Sequence, residues 1–260
     1  ILVLARPQTT NKWQNSEIEG IDIMLAIDVS TSMLAEDLKP NRLEAAKDVA
    51  AEFINGRPND NIGITLFAGE TFTQCPLTVD HAVLLDMIHN IKCGLITDGT
   101  AVGMGIANAV TRLKDSKAKS KVIILLTDGT NNKGDISPMT AAEIAKSFGI
   151  RVYTIGVGTN GMAPYPYPVG NTVQYVSMPV EIDEKTLTEI AGTTDGNYFR
   201  ATSNSKLKEV YEEIDKLEKT KLNVKEYSKR DEEYHWFALA AFLCVLLEVL
   251  LRNSVLKKIP

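Results

Sequence analysis

The stretch IDIMLAIDVSTS at residues 21–32 joins an apolar run to a polar end. A second stretch, KVIILLTDG at residues 121–129, has the same design. Continuous apolar runs of this length are typical of strands that are buried on both faces of a parallel sheet. Because ligands bind such sheets at the carboxyl ends of the strands, we expect the polar ends that begin with Asp28 and Asp128 to share one edge.

Strand and helix patterns alternate along most of the chain. Further strands are predicted at 61–68, 151–157 and 197–201, with an alternating polar and apolar segment at 71–77. The predicted helices occupy 42–55, 80–91, 100–114, 138–149, 183–191 and 204–221. Asn41 and Glu44 form a capping box, and Ser137-Pro138 is a typical helix start. The alternation predicts an α/β fold with a doubly wound, mostly parallel sheet flanked by helices.

Residues 158–179 interrupt this alternation and are predicted to be an irregular insertion, with prolines at 164, 166 and 168. The glycines at 156, 158 and 161 have the spacing of a dinucleotide-binding loop, but such a loop opens a helix. The prolines forbid a helix here, so we attribute the match to chance. The insertion leaves a strand at its carboxyl end. One hypothesis is that it shapes partner choice, and the alternative is a loop packed on the flank of the domain.

Composition limits the functional classes. A net charge of -5 and a pI near 5.4 argue against nucleic-acid binding. The cysteines Cys75, Cys93 and Cys244 include no CxxC pair, which excludes a disulfide framework and a zinc ribbon but leaves one Cys75–Cys93 bridge open. The histidines are scattered and form no metal-ligand spacing. Neither a P-loop nor a Gly-x-Ser-x-Gly elbow is present, which argues against ATPase or serine hydrolase activity in this chain.

Both ends of the chain are apolar. Residues 236–251 form an almost unbroken apolar run with aromatic residues before it and basic residues after it, which predicts a C-terminal transmembrane helix over 236–254. The alternative is an amphipathic or buried helix, because Glu248 is costly in lipid. Residues 1–8 are predicted to be the tail of a truncated N-terminal membrane segment, 9–222 the main domain, and 223–235 a juxtamembrane linker.

Carboxylates and hydroxyls are predicted to meet at the polar edge of the sheet. Asp28, Ser30 and Ser32 follow the first strand, Asp128 follows the second, and Thr100 ends the loop at 97–100. Alternate residues of an extended segment point the same way, so the first three can converge. A donor set made only of oxygen suits a hard cation, Mg²⁺ or Mn²⁺, better than zinc. Two carboxylates neutralise such a cation weakly, so it should attract a carboxylate from a partner.

The pattern Asp28-x-Ser30-x-Ser32, with Thr100 and Asp128-Gly129, resembles the metal-ion-dependent adhesion site (MIDAS) of von Willebrand factor type A (VWA) domains. The order of strands and helices over residues 20–220 agrees with that fold. The resemblance implies a protein–protein interaction domain that is not an enzyme, with Mg²⁺, Mn²⁺ or Ca²⁺ as the metal. It also implies that the hydroxyls bind the metal directly, while the two carboxylates bind directly or through water.

Segments 67–70, 73–78, 98–101 and 124–129 are similar to the bacterial aerotolerance (Bat) family, and within it to the BatA group. Members of that family carry a VWA domain between transmembrane segments and are associated with other Bat proteins and with MoxR-type AAA+ ATPases. The resemblance therefore implies these partners and a bacterial inner-membrane location. Two spans would place the domain in the periplasm, and a cytoplasmic domain that faces an ATPase is the alternative.

Three other interpretations of the site are open. Asp28, Ser30 and Ser32 alone also suit a turn with an Asx or Ser cap. A haloacid-dehalogenase-like, Mg-dependent phosphohydrolase would use Asp28 as nucleophile and Asp128 for Mg²⁺, but its general acid would fall on Ser30, which supplies no proton at a useful pKa. The third is a structural subunit of a membrane complex with a vestigial metal site.

Overall fold

The computed structural model describes residues 8–9, 20–128, 131–159, 161–169, 172–180, 182–222, 231–232 and 234–254. The chain divides into two compact units, one of residues 18–222 and one that combines 1–17 with 223–260. Most of the predicted N-terminal tail, most of the predicted linker at 223–235, and Gly129 of the motif lie outside the described residues.

The larger unit alternates strands and helices as predicted. Its strands are β2 (Asp22–Asp28), β3 (Asn61–Phe67), β4 (Thr71–Thr78), β5 (Lys121–Thr127), β6 (Arg151–Val157), β7 (Gly161–Val169), β8 (Thr172–Val180) and β9 (Tyr198–Ala201). Its helices are α1 (Arg42–Asn55), α2 (His81–His89), α3 (Val102–Leu113), α4 (Pro138–Ser147), α5 (Glu184–Thr193) and α6 (Asn204–Leu222), with a 3₁₀ turn at Thr31–Leu34. The predicted caps are present, since Asn41 accepts from the Glu44 N–H and Ser137 from the Thr140 N–H.

Six strands form the central sheet in the order β4-β3-β2-β5-β6-β9. All neighbours are parallel except β3 and β4, so the predicted mostly parallel sheet is confirmed, with one antiparallel edge strand. Successive side chains of β2 enter different cores. Ile23, Leu25 and Ile27 belong to the apolar cluster that includes α1, α2 and α6, whereas Met24 and Ala26 belong to the cluster of α3, α4 and α5. Helices therefore cover both faces, which explains the unbroken apolar runs.

The prediction of an irregular insertion at residues 158–179 is wrong. The strands β7 and β8 occupy most of this stretch and form an antiparallel pair, in which Pro164 lies opposite Ser177. Prolines two residues apart lack their N–H groups on one and the same edge of a strand, and proline is tolerated on such an edge. At that edge the Pro164 carbonyl accepts a 2.9 Å hydrogen bond from the Glu36 N–H, so it faces away from β8. The proline spacing is that of an edge strand.

The last helix of the larger unit, α6, contacts the amino end of the sheet through Glu218, which is 1% exposed. Its carboxylate accepts hydrogen bonds from Ser120 at 2.8 Å, from Tyr153 at 2.6 Å, and from both Nε and an NH of Arg151. Burial alone would raise the pKa of Glu218, but these hydrogen bonds and the Arg151 charge hold it below its ordinary value. The Glu218 cluster is thus a buried ion pair whose carboxylate is satisfied on both oxygens.

The smaller unit contains the antiparallel pair β1 (Gln8–Thr9) and β10 (Asp231–Glu232), and the helix α7 (Tyr234–Ser254). Of the helices in the described part of the chain, none combines the length and the apolar character that a membrane crossing requires. The predicted transmembrane helix over 236–254 is therefore not supported, since its apolar run is short and interrupted by Glu248.

Candidate metal centre

Asp28 and Asp128 end up close together because β2 and β5 are neighbouring parallel strands in register, with Ile27 opposite Leu126. Each aspartate stands at the carboxyl end of its strand, and both are buried, at 0% and 2% exposure. The Asp28 carboxylate is held on both oxygens, by the Ser30 N–H at 2.9 Å and by the Thr127 hydroxyl at 2.6 Å. The strand ends therefore place two fixed carboxylates at the predicted edge of the sheet.

Two serine hydroxyls connect the carboxylates. The Ser32 hydroxyl donates to Asp128 Oδ1 at 2.7 Å, and the hydroxyl oxygens of Ser30 and Ser32 are 3.0 Å apart. Because the Ser32 proton is directed at Asp128, Ser30 must be the donor of the second bond. The structure thus brings Asp28, Ser30, Ser32 and Asp128 together, as the sequence predicts.

Thr100 reaches the same edge from another loop. It is 4% exposed and immediately precedes the Ala101 cap of α3. Its backbone N–H donates to the Asn132 side chain at 2.9 Å, and its carbonyl accepts from the Asn132 N–H at 2.9 Å. Two residues earlier, the Asp98 carboxylate accepts from the N–H and the hydroxyl of Thr31 at 3.0 and 2.9 Å. Asp98 therefore ties the Thr100 loop to the Ser30–Ser32 segment.

Burial and mutual repulsion disfavour two negative charges in this centre. Burial, followed by the charge of Asp128, raises the pKa of Asp28 to about 7, against hydrogen bonds from Ser30 and Thr127. Burial also raises the pKa of Asp128, although the Arg42 charge and hydrogen bonds from Ser32 and Arg42 oppose the shift. Arg42, which also pairs with Asp37, compensates only part of the negative charge of the two carboxylates, and a bound cation would relieve the rest.

Arg42 is a residue of this centre that the sequence pattern did not predict. Its guanidinium, whose side chain is 3% exposed, donates to Asp128 Oδ2 at 2.5 Å and to both oxygens of Asp37 at 2.7 Å. Arg42 stands at the first position of α1, where the pattern indicated only a capping box. No periodicity distinguishes a buried arginine at that position from an exposed one, so the available signal was weak.

The donor chemistry fits a hard divalent cation. Within the described ranges, no three His, Cys, Asp or Glu side chains form a group that could hold a metal ion. The carboxylate pair would therefore be completed by the hydroxyls of Ser30, Ser32 and Thr100, and an all-oxygen set suits Mg²⁺ or Mn²⁺.

Cys75, Cys93 and Cys244 are all free thiols, so the bridge left open between Cys75 and Cys93 is not formed. The thiol of Cys93 lies 3.4 Å from the Ser30 carbonyl.

Comparisons with known proteins agree with this geometry. The family model of the von Willebrand factor type A domain matches residues 22–213. An uncharacterized protein of Borreliella burgdorferi is 28% identical over 261 residues, which cover 100% of this chain and 76% of that protein. A UPF0353 protein of Mycolicibacterium paratuberculosis is 32% identical over 203 residues, which cover 73% of this chain but only 58% of that protein.

Solved structures give the same assignment. BatB of Bacteroides thetaiotaomicron is 34% identical with a TM-score of 0.68, covering 77% of this chain and 100% of that one. An aerotolerance-related membrane protein of Bacteroides fragilis is 34% identical with a TM-score of 0.66, covering 76% and 100%. Proximal thread matrix protein 1 of the mussel byssus, with a zinc-occupied MIDAS motif, is 25% identical with a TM-score of 0.61, covering 76% and 46%.

Proposed function

The chain belongs to the von Willebrand factor type A family, and from this premise we propose that it is a metal-dependent protein-interaction domain. The proposed metal ligands are Asp28, Ser30, Ser32, Thr100 and Asp128. A bound divalent cation would supply an electrophilic centre that accepts one carboxylate oxygen from a partner protein. The proposal rests mainly on the two buried carboxylates of Asp28 and Asp128, which hydroxyl groups connect at the carboxyl edge of the sheet.

The chain's own residues would orient the site. Thr127 and the Ser30 N–H hold Asp28, and Arg42 holds one oxygen of Asp128. Asp98 keeps the Thr100 loop against Thr31. Mg²⁺ is the preferred metal on donor chemistry, with Mn²⁺ or Ca²⁺ as substitutes. Because a related byssus protein holds zinc in its MIDAS motif, zinc belongs in any comparison of metals.

We propose a binding function without catalysis. In the phosphohydrolase alternative, the residue two positions after the nucleophile Asp28 must be an acid. Here that residue is Ser30, whose hydroxyl is engaged with Ser32. The mechanism would therefore lack its general acid at that position. A vestigial site in a structural subunit is the other alternative, and metal titration decides between it and the present proposal.

The partners and location are proposed from the relatives. Solved neighbours described as BatB and as an aerotolerance-related membrane protein support a role in a complex of Bat proteins at the bacterial inner membrane. We assign the domain to the periplasmic side and regard other Bat proteins and a MoxR-type ATPase as candidate partners. Metal-dependent co-purification of such proteins with the chain, lost in a metal-site variant, would test this assignment.

The direct test of the function is calorimetric titration of Mg²⁺, Mn²⁺, Ca²⁺ and Zn²⁺ into the metal-free protein. Asp28→Asn should abolish binding while the domain stays folded by circular dichroism. Asp22→Asn is the matched control, because Asp22 is a buried aspartate at the opposite end of the same strand. If the wild type binds none of the metals, or if Asp28→Asn binds as well as Asp22→Asn, the proposed site is wrong.

A further inference from the structure

The guanidinium of Arg42 is bound on two sides by carboxylates from different parts of the chain. One NH group contacts Asp128 after β5, while Nε and the other NH group contact Asp37 in the loop before α1. The side chains of Arg42, Asp37 and Asp128 are 3%, 4% and 0% exposed. A guanidinium is planar, so a two-point contact on one side also fixes the directions in which its other N–H groups point. Asp37 therefore sets the direction from which Arg42 holds Asp128.

The same network continues to the β7–β8 hairpin. Asp37 Oδ2 also accepts hydrogen bonds from the N–H and the hydroxyl of Thr159, at 2.7 and 3.1 Å. Thr159 lies just before β7, and the neighbouring Glu36 N–H binds the Pro164 carbonyl within β7. Gly158 makes room for this arrangement, since a Cβ at Gly158 would lie 2.8 Å from Arg42 Cζ. A continuous path of contacts thus runs from Asp128 through Arg42 and Asp37 to the base of the hairpin.

We propose that Arg42 is a positioning residue that couples the Asp128 side of the metal site to the β7–β8 hairpin. Residues 161–180 carry no charged side chain, so the hairpin offers an uncharged surface. The Asp37–Arg42 ion pair contacts the start of this hairpin through Thr159. A change at Asp128 shifts the guanidinium, and the shift reaches Thr159 through Asp37. The inference rests on the proposed function in one respect, because the physiological change at Asp128 would be metal binding.

Hydrogen exchange measured by mass spectrometry tests the coupling without any metal. In metal-free buffer, Asp128→Asn should speed exchange of peptides that cover 159–169 by about tenfold, the factor expected when a charge-assisted hydrogen bond is weakened. Asp28→Asn, which alters the metal site without touching Arg42, should leave those peptides unchanged. Arg42→Lys keeps the charge but loses the two-point contact, so it should resemble Asp128→Asn. Peptides from β5 serve as the reference for global stability.

The outcomes separate this inference from the proposed function. Equal hairpin exchange in Asp128→Asn and Asp28→Asn would overturn the coupling, whether or not the wild type binds metal. The coupling is also overturned if Arg42→Lys leaves the hairpin at the wild-type rate. Where Asp128→Asn fails to fold, Arg42→Lys and Asp37→Asn decide the matter, and both must speed hairpin exchange. A wild type that binds no metal but shows the predicted exchange pattern would retain the coupling and lose the proposed function.

Discussion

The carboxylate of Asp98 and the backbone and hydroxyl of Thr31 join two loops of the proposed metal centre by a pair of hydrogen bonds, 3.0 and 2.9 Å long. Partial burial would raise the pKa of Asp98, but the bonds from Thr31 and Gly99 and the charge of Lys133 lower it. Asp98 is therefore ionised at neutral pH and available for this contact. Because the contact is between loops, it bears on the arrangement of the proposed metal ligands more than on the core.

Asp98→Ala should weaken Mg²⁺ binding about tenfold, since the loss of a charge-assisted hydrogen bond frees Thr31 and the Thr100 loop from each other. The free energy of unfolding should fall by about 1 kcal/mol or less, because Asp98 is exposed. Calorimetry and urea denaturation measure the two effects. Asp135→Ala, at another exposed aspartate of the neighbouring loop, should change neither quantity. Unaltered affinity in Asp98→Ala would show that the loops are positioned without this contact.

Thr127 offers a test of how Asp28 is oriented. Thr127→Val removes the hydroxyl that donates to Asp28 at 2.6 Å, so Mg²⁺ affinity should fall about tenfold and stability by about 1–2 kcal/mol. Thr127→Ser restores the hydroxyl and should recover most of the affinity. If valine and serine variants bind the metal equally, Asp28 is oriented by the Ser30 N–H alone.

Gly103 and Gly192 should respond to alanine with opposite signs. A Cβ at Gly103 would lie 2.1 Å from the Ile136 carbonyl oxygen, whereas a Cβ at Gly192 meets nothing within 4 Å. Gly103→Ala should therefore destabilise the domain by about 1–3 kcal/mol through overpacking of α3 against the segment before α4. Gly192→Ala, within α5, should stabilise it by about 0.5–1 kcal/mol. Urea midpoints at equal m-values compare the two, and a stable Gly103→Ala variant would mean that α3 can shift freely.

The Glu218 cluster should make stability depend on pH on the acid side. The pKa of Glu218 is lowered in the folded protein, so its stabilising effect is present above the ordinary value of 4.5 and is lost as pH falls through the folded pKa. Glu218→Gln should cost about 2 kcal/mol at pH 7 and less at a pH below the ordinary value. The difference between wild-type and variant urea midpoints, followed from pH 7 downward, should shrink; a constant difference would contradict the ionic role.

Much of the fold followed from two features of the sequence. The unbroken apolar runs before Asp28 and Asp128 predicted parallel strands, because a strand that helices cover on both faces needs no polar positions. The caps at Asn41 and Ser137 located helix starts, since their side chains can satisfy the free N–H groups of a first turn. Both predictions depend on residues that are close together in the chain, and such residues can be compared within a single sequence.

The rest depended on contacts between distant residues. The pairing of β7 with β8 was missed because the three prolines were used only to exclude a helix, although their spacing of two leaves one edge of a strand free to pair. The Arg42–Asp128 contact joins residues that are 86 positions apart. Its existence depends on the register of the sheet and on the packing of α1. Neither the register nor the packing can be inferred from the residues next to Arg42 in the sequence.

Ser120 gives the larger unit a property unrelated to the proposed metal centre. The serine carbonyl accepts a 3.1 Å hydrogen bond from the N–H of Asp22, the first residue of β2, and its hydroxyl donates to Glu218 in α6. The first strand and the last helix of the unit are thus joined through one residue. Chain ends that meet in this way let a unit be spliced between other segments without being unwound. The first strand and the last helix of the domain therefore meet at the end of the sheet away from Asp28 and Asp128.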